Sequence, residues 1–399
     1  MIKLVRLFSR LNIGGPSYHV VNLNQGLIEH GYDSNLVVGR TNPWEGNLVS
    51  YANEKNVQPY FINEFGATIS VYNDFLTFIK LLVYFKKNKP TILHTHTFKA
   101  GLLGRIAGKL AGIPVIVHTY HGHLLNNYWS GLKLFILKTI EKNMSLITDV
   151  SIGVSAQVSA DLVEAGIVLS SKMQTVELGF DFNYLQNEIN AKSTLRKKLN
   201  IPVEHFVFGS ACRLVPVKNM ELLINSSINL LVENEKMHLI IVGEGPEKQK
   251  ICSIKEKAEA KFPRLVKQIH LVDWIVPFQR ELKDFDLYIC SSRNEGTSVS
   301  VIEAMISEVA VASTQVGGMP SLLNDGEYGD LYQSENSVEL ISVIKKHYEL
   351  FTTNDLVKEK QNEKLQKIAL KIRNQFDVKR LCVETDIIYK NILLKKGLL

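Results

Sequence analysis

Between Phe75 and Ile140 the chain holds not one aspartate or glutamate. At the overall acidic density a window of that length should carry roughly six or seven. It carries instead nine basic residues, Lys80, Lys86, Lys87, Lys89, Lys99, Arg105, Lys109, Lys133 and Lys138. That one-sided stretch predicts a basic surface facing something anionic. No run approaches the roughly 18 apolar residues of a spanning helix. The start, MIKLVRLFSR, interrupts its apolar runs with Lys3 and Arg6, which argues against a signal peptide and for a first strand. Cysteine is scarce: Cys212, Cys252, Cys290 and Cys382 stand far apart with no CxxC pair. Buried, reduced thiols in a cytoplasmic compartment are the expectation. The GxGxxG dinucleotide fingerprint is also missing.

What is present is a repeated alternation of strand and helix signals. IKLVRLFS, SNLVVG, TILHTHT and IPVIVHTYHG read as strands, separated by segments of helical period such as YHVVNLNQGLIEHG and the small-residue-rich FKAGLLGRIAGKLAG. Alternation of this kind implies a parallel sheet covered on both faces. At 399 residues two domains are expected. The pattern fades across 183–204, a polar stretch suited to a linker plus a surface helix, and then resumes with HFVFGSACRL, MHLIIVGEGPE, DLYICSS and VAVASTQVGG. The organisation read from this is an N-terminal α/β domain over 1–182, a second over 183–375, and an amphipathic helix over 376–399. Ligands of such sheets bind at the carboxyl ends of strands, so chemistry is sought in the loops there.

Four of those loops stand out. Gly14-Gly15-Pro16 lets backbone approach a ligand closely and opens a helix with free N–H groups; VGEGPE, with Gly245, has GxG without a third glycine, and a plain turn is the competing reading for both. His94, His96, His118, His121 and His123 form a second group. His96 and His121 fall at or just past strand ends, and His94 and His118 lie inside strands as core residues. No spacing matches a metal-ligand pattern, so no metal is expected. In CRLVPVKN, Arg213 and Lys218 lie just beyond a strand and suit a diphosphate, unless they are two solvated surface charges. The fourth is SSRNEGTSVSVIEAM, a strand end, a tight loop and a helix start with Ser298 as N-cap. One of the two glutamates, Glu295 in the loop and Glu303 inside the helix, suits a ribose diol and the other sugar hydroxyls. The N–H groups of Gly296, Thr297 and Ser298 between them suit a phosphate. This reads as a nucleotide-sugar grip. The DxD of KDFD directly precedes an apolar strand and is read as structural.

Taken together, NIGGPSYHVVNL, ILHTHTFKAGLLGRIAGKLAGIPVIVHTYHGHLL, ACRLVPVKNMELLI, LIIVGEGPEKQK, EGTSVSVIEAM and TQVGGMPSLL resemble family 4 of the retaining glycosyltransferases nearly end to end, in particular bacterial capsule and exopolysaccharide transferases. The resemblance implies the GT-B fold, two Rossmann-like doubly wound domains facing across a cleft, with the C-terminal helix crossing back to the N-terminal domain. It implies that Arg213 and Lys218 hold the donor diphosphate, Glu303 the ribose and Glu295 the transferred sugar, with His121 beside that sugar. The implied chemistry is front-face displacement from a nucleotide-sugar, a UDP-sugar, with no cofactor and no metal. The implied acceptor is a lipid-linked or growing saccharide. The chain departs from many relatives in reading GTSVS after Glu295 where GFG is common, and in carrying Asp273 where glycine is common. A nucleotide-sugar epimerase of related fold and a non-catalytic sugar-nucleotide binding module are the alternatives. The expected partners are the donor, the acceptor and an anionic membrane surface met by the basic N-terminal domain, with no nucleic acid. The expected location is the cytoplasmic face of the cell membrane.

Overall fold

The computed structural model describes residues 1–42, 45–66, 68–122 and 131–399. Of the residues singled out above, His123 and the Leu124 and Leu125 that follow it lie outside them. The chain divides into two units: Met1–Asp181 together with Phe376–Leu399, and Phe182–Gln375.

The first unit is built on seven described strands, β1 Ile2–Phe8, β2 Tyr32–Val38, β3 Tyr60–Phe61, β4 Ile92–His96, β5 Val115–Tyr120, β6 Val150–Gly153 and β7 Met173–Thr175. All pairings are parallel, in the order β3-β2-β1-β4-β5-β6-β7. The central strands are buried on both faces because helices cover both; Leu4, Leu7, Ile92, Leu93, Val115 and Val117 are wholly buried. From β1 the chain winds outward through β2 and β3, then returns to place β4 on the other side of β1. That junction is the sheet's switch point, where the loops after β1 and β4 part and leave a crevice.

The small residues of FKAGLLGRIAGKLAG have a packing cause. In the helix Phe98–Leu110 a Cβ at Gly101 would lie 2.5 Å from His118 Cε1, at Gly104 2.4 Å from Leu7 Cδ2, and at Gly108 2.5 Å from Leu93 Cδ2. The helix therefore rests directly on the sheet. The helix Val71–Asn88 is N-capped by Ser70, whose Oγ accepts from the Asn73 N–H, and it packs on the helix Phe98–Leu110, which also meets the helix Gly131–Leu146. Arg105 does not belong to the basic surface expected of this region. It is fully buried and bonded to Glu141 Oε2 at 2.9 Å, an acid one position past the carboxylate-free window. Lys99 and Lys80 are likewise paired, with Asp74 and Glu64.

The terminal helix Val378–Lys395 completes this unit. Leu381, Cys382, Tyr389 and Leu393 join Leu4, Leu23, Leu27 and Val115 in one core cluster, and Tyr32 Oη donates to Asp386 at 2.9 Å. The chain's exit and return are tied together, the Phe180 N–H donating to the Phe376 carbonyl at 2.8 Å and the Val378 N–H to that of Phe180 at 3.0 Å.

The second unit has six described strands, β8 Phe206–Ala211, β9 Met237–Val242, β10 Ile269–Val272, β11 Leu287–Cys290, β12 Ala310–Thr314 and β13 Asp330–Tyr332. They are parallel, in the order β10-β9-β8-β11-β12-β13, which puts a switch point between β8 and β11. The 183–204 stretch is not a loose linker. Glu281 Oε2 accepts from the N–H groups of Thr194 at 2.8 Å and Leu195 at 2.9 Å, and Leu185, Ile189 and Leu195 are buried. A distant carboxylate satisfies its polar backbone, which local composition does not reveal. The DxD is consumed structurally: Asp286 Oδ2 accepts from Arg196 Nη2 and the Val207 N–H, each at 2.7 Å, and Asp284 Oδ2 from the Arg196 N–H at 2.8 Å.

Candidate functional site

In the second unit β8 and β11 are neighbours, so the loops that leave them, Cys212–Asn219 and Ser291–Ser298, emerge side by side. Arg293 fastens one to the other: its N–H donates to the Val217 carbonyl at 2.7 Å, its Nη2 to Asn219 Oδ1 at 2.8 Å, and its Nη1 to the Pro216 carbonyl. Ser291 Oγ adds bonds to the carbonyls of Lys218 and Asn219, at 3.0 and 3.2 Å. The result is an ion pair between Lys218 Nζ and Glu295 Oε1, an oxygen that also accepts from Ser292 Oγ at 2.6 Å. Burial works against charge on Lys218, yet the Glu295 carboxylate outweighs it and holds the ammonium above its usual range. Arg213 is half-buried, and its guanidinium has no partner among the described residues. A paired and an unpaired cation thus share one loop.

Three glycines set this geometry. A Cβ at Gly243 would lie 1.9 Å from the Cys212 carbonyl oxygen, and one at Gly245 2.3 Å from that of Leu214. The VGEGPE turn therefore sits against the backbone that carries Arg213, and Gly245 is needed for that close approach. Gly317, in TQVGG, has φ +53° and its Cβ would fall 1.8 Å from the Glu295 carbonyl oxygen, which also accepts from the Gly318 N–H at 3.1 Å. Asp273 bonds Lys248 Nζ at 2.6 Å, joining the loop after β10 to the VGEGPE turn.

Ser298 occupies the N-cap position of the helix Val299–Ile306 but its side chain makes no capping bond. It meets Ser300 Oγ at 3.3 Å instead, so the first N–H groups after Gly296 and Thr297 keep no side-chain cap. One turn on, Glu303 is buried and accepts from Gln279 Nε2 at 2.7 Å. Burial pushes its carboxyl up to about 7, the Gln279 bond opposing.

In the first unit Gly14 (φ +157°) precedes the helix Gly15–Gly26, which has no side-chain cap, and the loop is closed by Ser17 Oγ donating to the Asn12 carbonyl at 2.7 Å. His96 ends β4, at the switch point, and His121 follows β5; His96 Nδ1 and His121 Nε2 stand 3.0 Å apart. His94 and His118 are core residues, His94 Nε2 meeting Thr119 Oγ1 at 2.7 Å and His118 Nδ1 meeting Thr95 Oγ1 at 2.8 Å. Burial, and then the charge of Arg6, lowers His121 to about 3. Ring nitrogens of His19, His96 and His121 lie within 4.8 Å of one another, the one set of metal-ligating type among the described residues. Arg6 Nη1 is bonded to His96 Nε2 at 3.2 Å, so a fixed positive charge already occupies the side of this cluster.

Sequence reasoning reached the residues of each loop but missed those that hold them. Arg293, Ser291 and Gly317 sit inside motifs that were read for other residues. Arg6 is opposite His94 in the β1–β4 register, and a lone arginine in an apolar strand was the available signal.

Residues 13–184 match the family model described as Glycosyltransferase Family 4, and 205–349 the one described as Glycosyl transferases group 1. The chain is 26% identical over 316 residues to UDP-Gal:alpha-D-GlcNAc-diphosphoundecaprenol alpha-1,3-galactosyltransferase of Escherichia coli, covering 78% of this chain and 79% of that protein. It is 25% identical to the capsular polysaccharide biosynthesis glycosyltransferase CapM of Staphylococcus aureus, covering 70% and 72%. Its fold is similar to that of Anabaena HepE crystallised with UDP and glucose, with a TM-score of 0.80 at 18% identity over 98% of this chain and 100% of that one.

Proposed function

We propose that the chain, which matches two glycosyltransferase family models over residues 13–184 and 205–349, transfers a sugar, with retention, from a UDP-sugar to a lipid-linked or growing saccharide in bacterial surface-polysaccharide synthesis. The observation that carries this is the pair of loops at the β8–β11 switch point. They gather Arg213, Lys218 and Glu295, with an uncapped helix start and Glu303 directly after. Two cations and a helix start without a side-chain cap suit a diphosphate leaving group, whose charge grows as the glycosidic bond breaks. Glu303 takes the ribose diol, and Glu295, parting from Lys218 as the diphosphate arrives, takes hydroxyls of the transferred sugar. His121, in the first unit, is assigned to a sugar hydroxyl. Gly14 and Gly15 let backbone approach a ligand of the first unit. Neither cofactor nor metal is invoked.

The acceptor's lipid calls for a membrane face, and the first unit offers one. Along the helix Val71–Asn88, Tyr72, Phe75, Ile79 and Val83 form a stripe exposed by 72, 61, 39 and 61%, opposite the buried Thr77, Leu81 and Phe85. Leu132 and Phe135 of the helix Gly131–Leu146 are 73 and 66% exposed. Lys86, Lys87, Lys89 and Lys109 are exposed nearby in sequence, and no described helix is long and apolar enough to cross a membrane. Apolar stripes edged by lysines suit docking in the headgroup layer of the inner, cytoplasmic leaflet.

The test is UDP release from UDP-sugars with and without lipid extract. Lipid-dependent UDP release with a labelled, extended lipid product is expected. Isomerised sugar without acceptor points to an epimerase, and binding with neither product to a non-catalytic module.

A further inference from the structure

The first unit buries an arginine without an acid. Arg6, on β1, is fully enclosed, and no ion pair includes it among the described residues. Its Nη1 points at two imidazoles, His94 Nδ1 at 3.0 Å and His96 Nε2 at 3.2 Å. A guanidinium can only donate, and it stays charged at every relevant pH. Both ring nitrogens must therefore be acceptors, and each ring's proton lies on its other nitrogen.

Proton positions then follow along the cluster. On His94 the proton sits on Nε2 and is donated to Thr119 Oγ1 at 2.7 Å, where that branch ends in the core. On His96 it sits on Nδ1, 3.0 Å from His121 Nε2, which must accept it. The proton of His121 is left on Nδ1, a buried atom with no hydrogen-bond partner among the described residues. A metal ion is a poor tenant here. Ligation by His96 Nδ1 and His121 Nε2 would move the His96 proton to Nε2, head-on to the Arg6 N–H, beside a fixed cation.

We propose that Arg6 is a positioning residue: acting through His96, it holds His121 in the tautomer whose Nδ1–H donates to an oxygen of a sugar bound at the carboxyl ends of the first unit's strands. This rests on the assignment of His121 to that sugar. Without the arginine, His121 is free to take the Nε2–H form, which turns a lone pair toward that oxygen.

The tautomer is read by long-range ¹⁵N–¹H spectra of the full-length protein labelled at histidine, with His121 identified by its loss in His121→Gln. Wild type is expected to show Nδ1 protonated and Nε2 bare. Arg6→Met, and His96→Leu as the second break in the chain should the first fail to fold, release His121 toward Nε2–H. They lower UDP-sugar turnover about 10- to 100-fold with donor KM within about threefold. Arg6→Lys, which keeps a cationic donor, restores both. An Nε2–H His121 in wild type, or an unchanged tautomer in both broken variants, overturns the proposal, as does a shifted tautomer with unchanged turnover. Stoichiometric Zn²⁺ binding that disappears in His19→Gln overturns it too. Absence of transfer by the wild type counts against the transferase reading alone, since the spectra decide the role of Arg6 without it.

Discussion

Lys218 Nζ is bonded to the carboxylate of Glu295, across 77 residues of sequence, by two loops that a single arginine fastens together. Each charge cancels its partner. Lys218→Ala strands Glu295, whose side chain is 10% exposed, and should cost about 1–3 kcal/mol of stability by urea unfolding. Adding Glu295→Gln should recover part of that loss. In turnover, Arg213→Ala and Lys218→Ala should each lose about 2–4 kcal/mol of transition-state stabilisation. Near-normal kcat/KM in both folded variants would remove these residues from the site.

Glu303 gives a pH signature. It ionises near 4.5 in the unfolded chain and at about 7 in the fold. Between those values the native state keeps a proton that the unfolded chain has released, so this group's contribution to stability falls as pH rises through that window. Glu303→Gln should therefore be the more stable protein at pH 8, by about 2–4 kcal/mol. UDP affinity in wild type should rise from pH 6 to 8 as the carboxylate forms, and calorimetry on Glu303→Gln should find weaker and flatter binding. Equal affinity and equal pH slope would show that this helix does not hold the ribose.

The first unit should be acid-labile. Burial, as the largest cause, holds His19, His94, His96, His118 and His121 below their usual value of 6.5. They stay neutral in the fold while the unfolded chain takes up protons, so stability is lost as pH falls below about 6.5. Each histidine contributes up to about 1.36 kcal/mol per pH unit. Urea unfolding at pH 7 and pH 5 checks this, and a slope no steeper than one proton would contradict the neutral cluster.

Docking should need both apolar and basic residues. Replacing exposed Lys86, Lys87 and Lys89 by Gln removes about 3 kcal/mol of attraction to an anionic surface, roughly 100-fold in partition. Phe75→Ser with Phe135→Ser should weaken binding at any salt concentration. Lys80 should matter less, being paired with Glu64. Co-sedimentation that ignores vesicle charge would leave these stripes as ordinary surface.

Where the sequence was legible, local pattern was enough. Strand and helix alternation marks the two sheets, and the loops after β8 and β11 could be found because apolar strand runs end abruptly in polar, glycine-bearing segments. What could not be read depends on partners distant in sequence. Arg105 looks like a surface charge until helix packing brings Glu141 to it. Ser298 has the residue type of a cap, yet its hydroxyl turns to Ser300. Arg6 meets His94 only through the register of strands joined by three crossovers, and that register is set by the sheet as a whole.

The return of Phe376–Leu399 to the first unit separates the order of synthesis from the order of completion. Phe182–Gln375 is one continuous stretch. It can close its own core as soon as it has left the ribosome. The first unit cannot, because Leu381, Tyr389 and Leu393 fill part of its interior and are made only after the whole second unit. Residues 1–181 must therefore wait, with the seat of the helix Val378–Lys395 exposed, for residues 376–399. A nascent chain stalled before residue 376 should present a finished second unit and an unfinished first one, and chaperones would be needed most at the amino-terminal half.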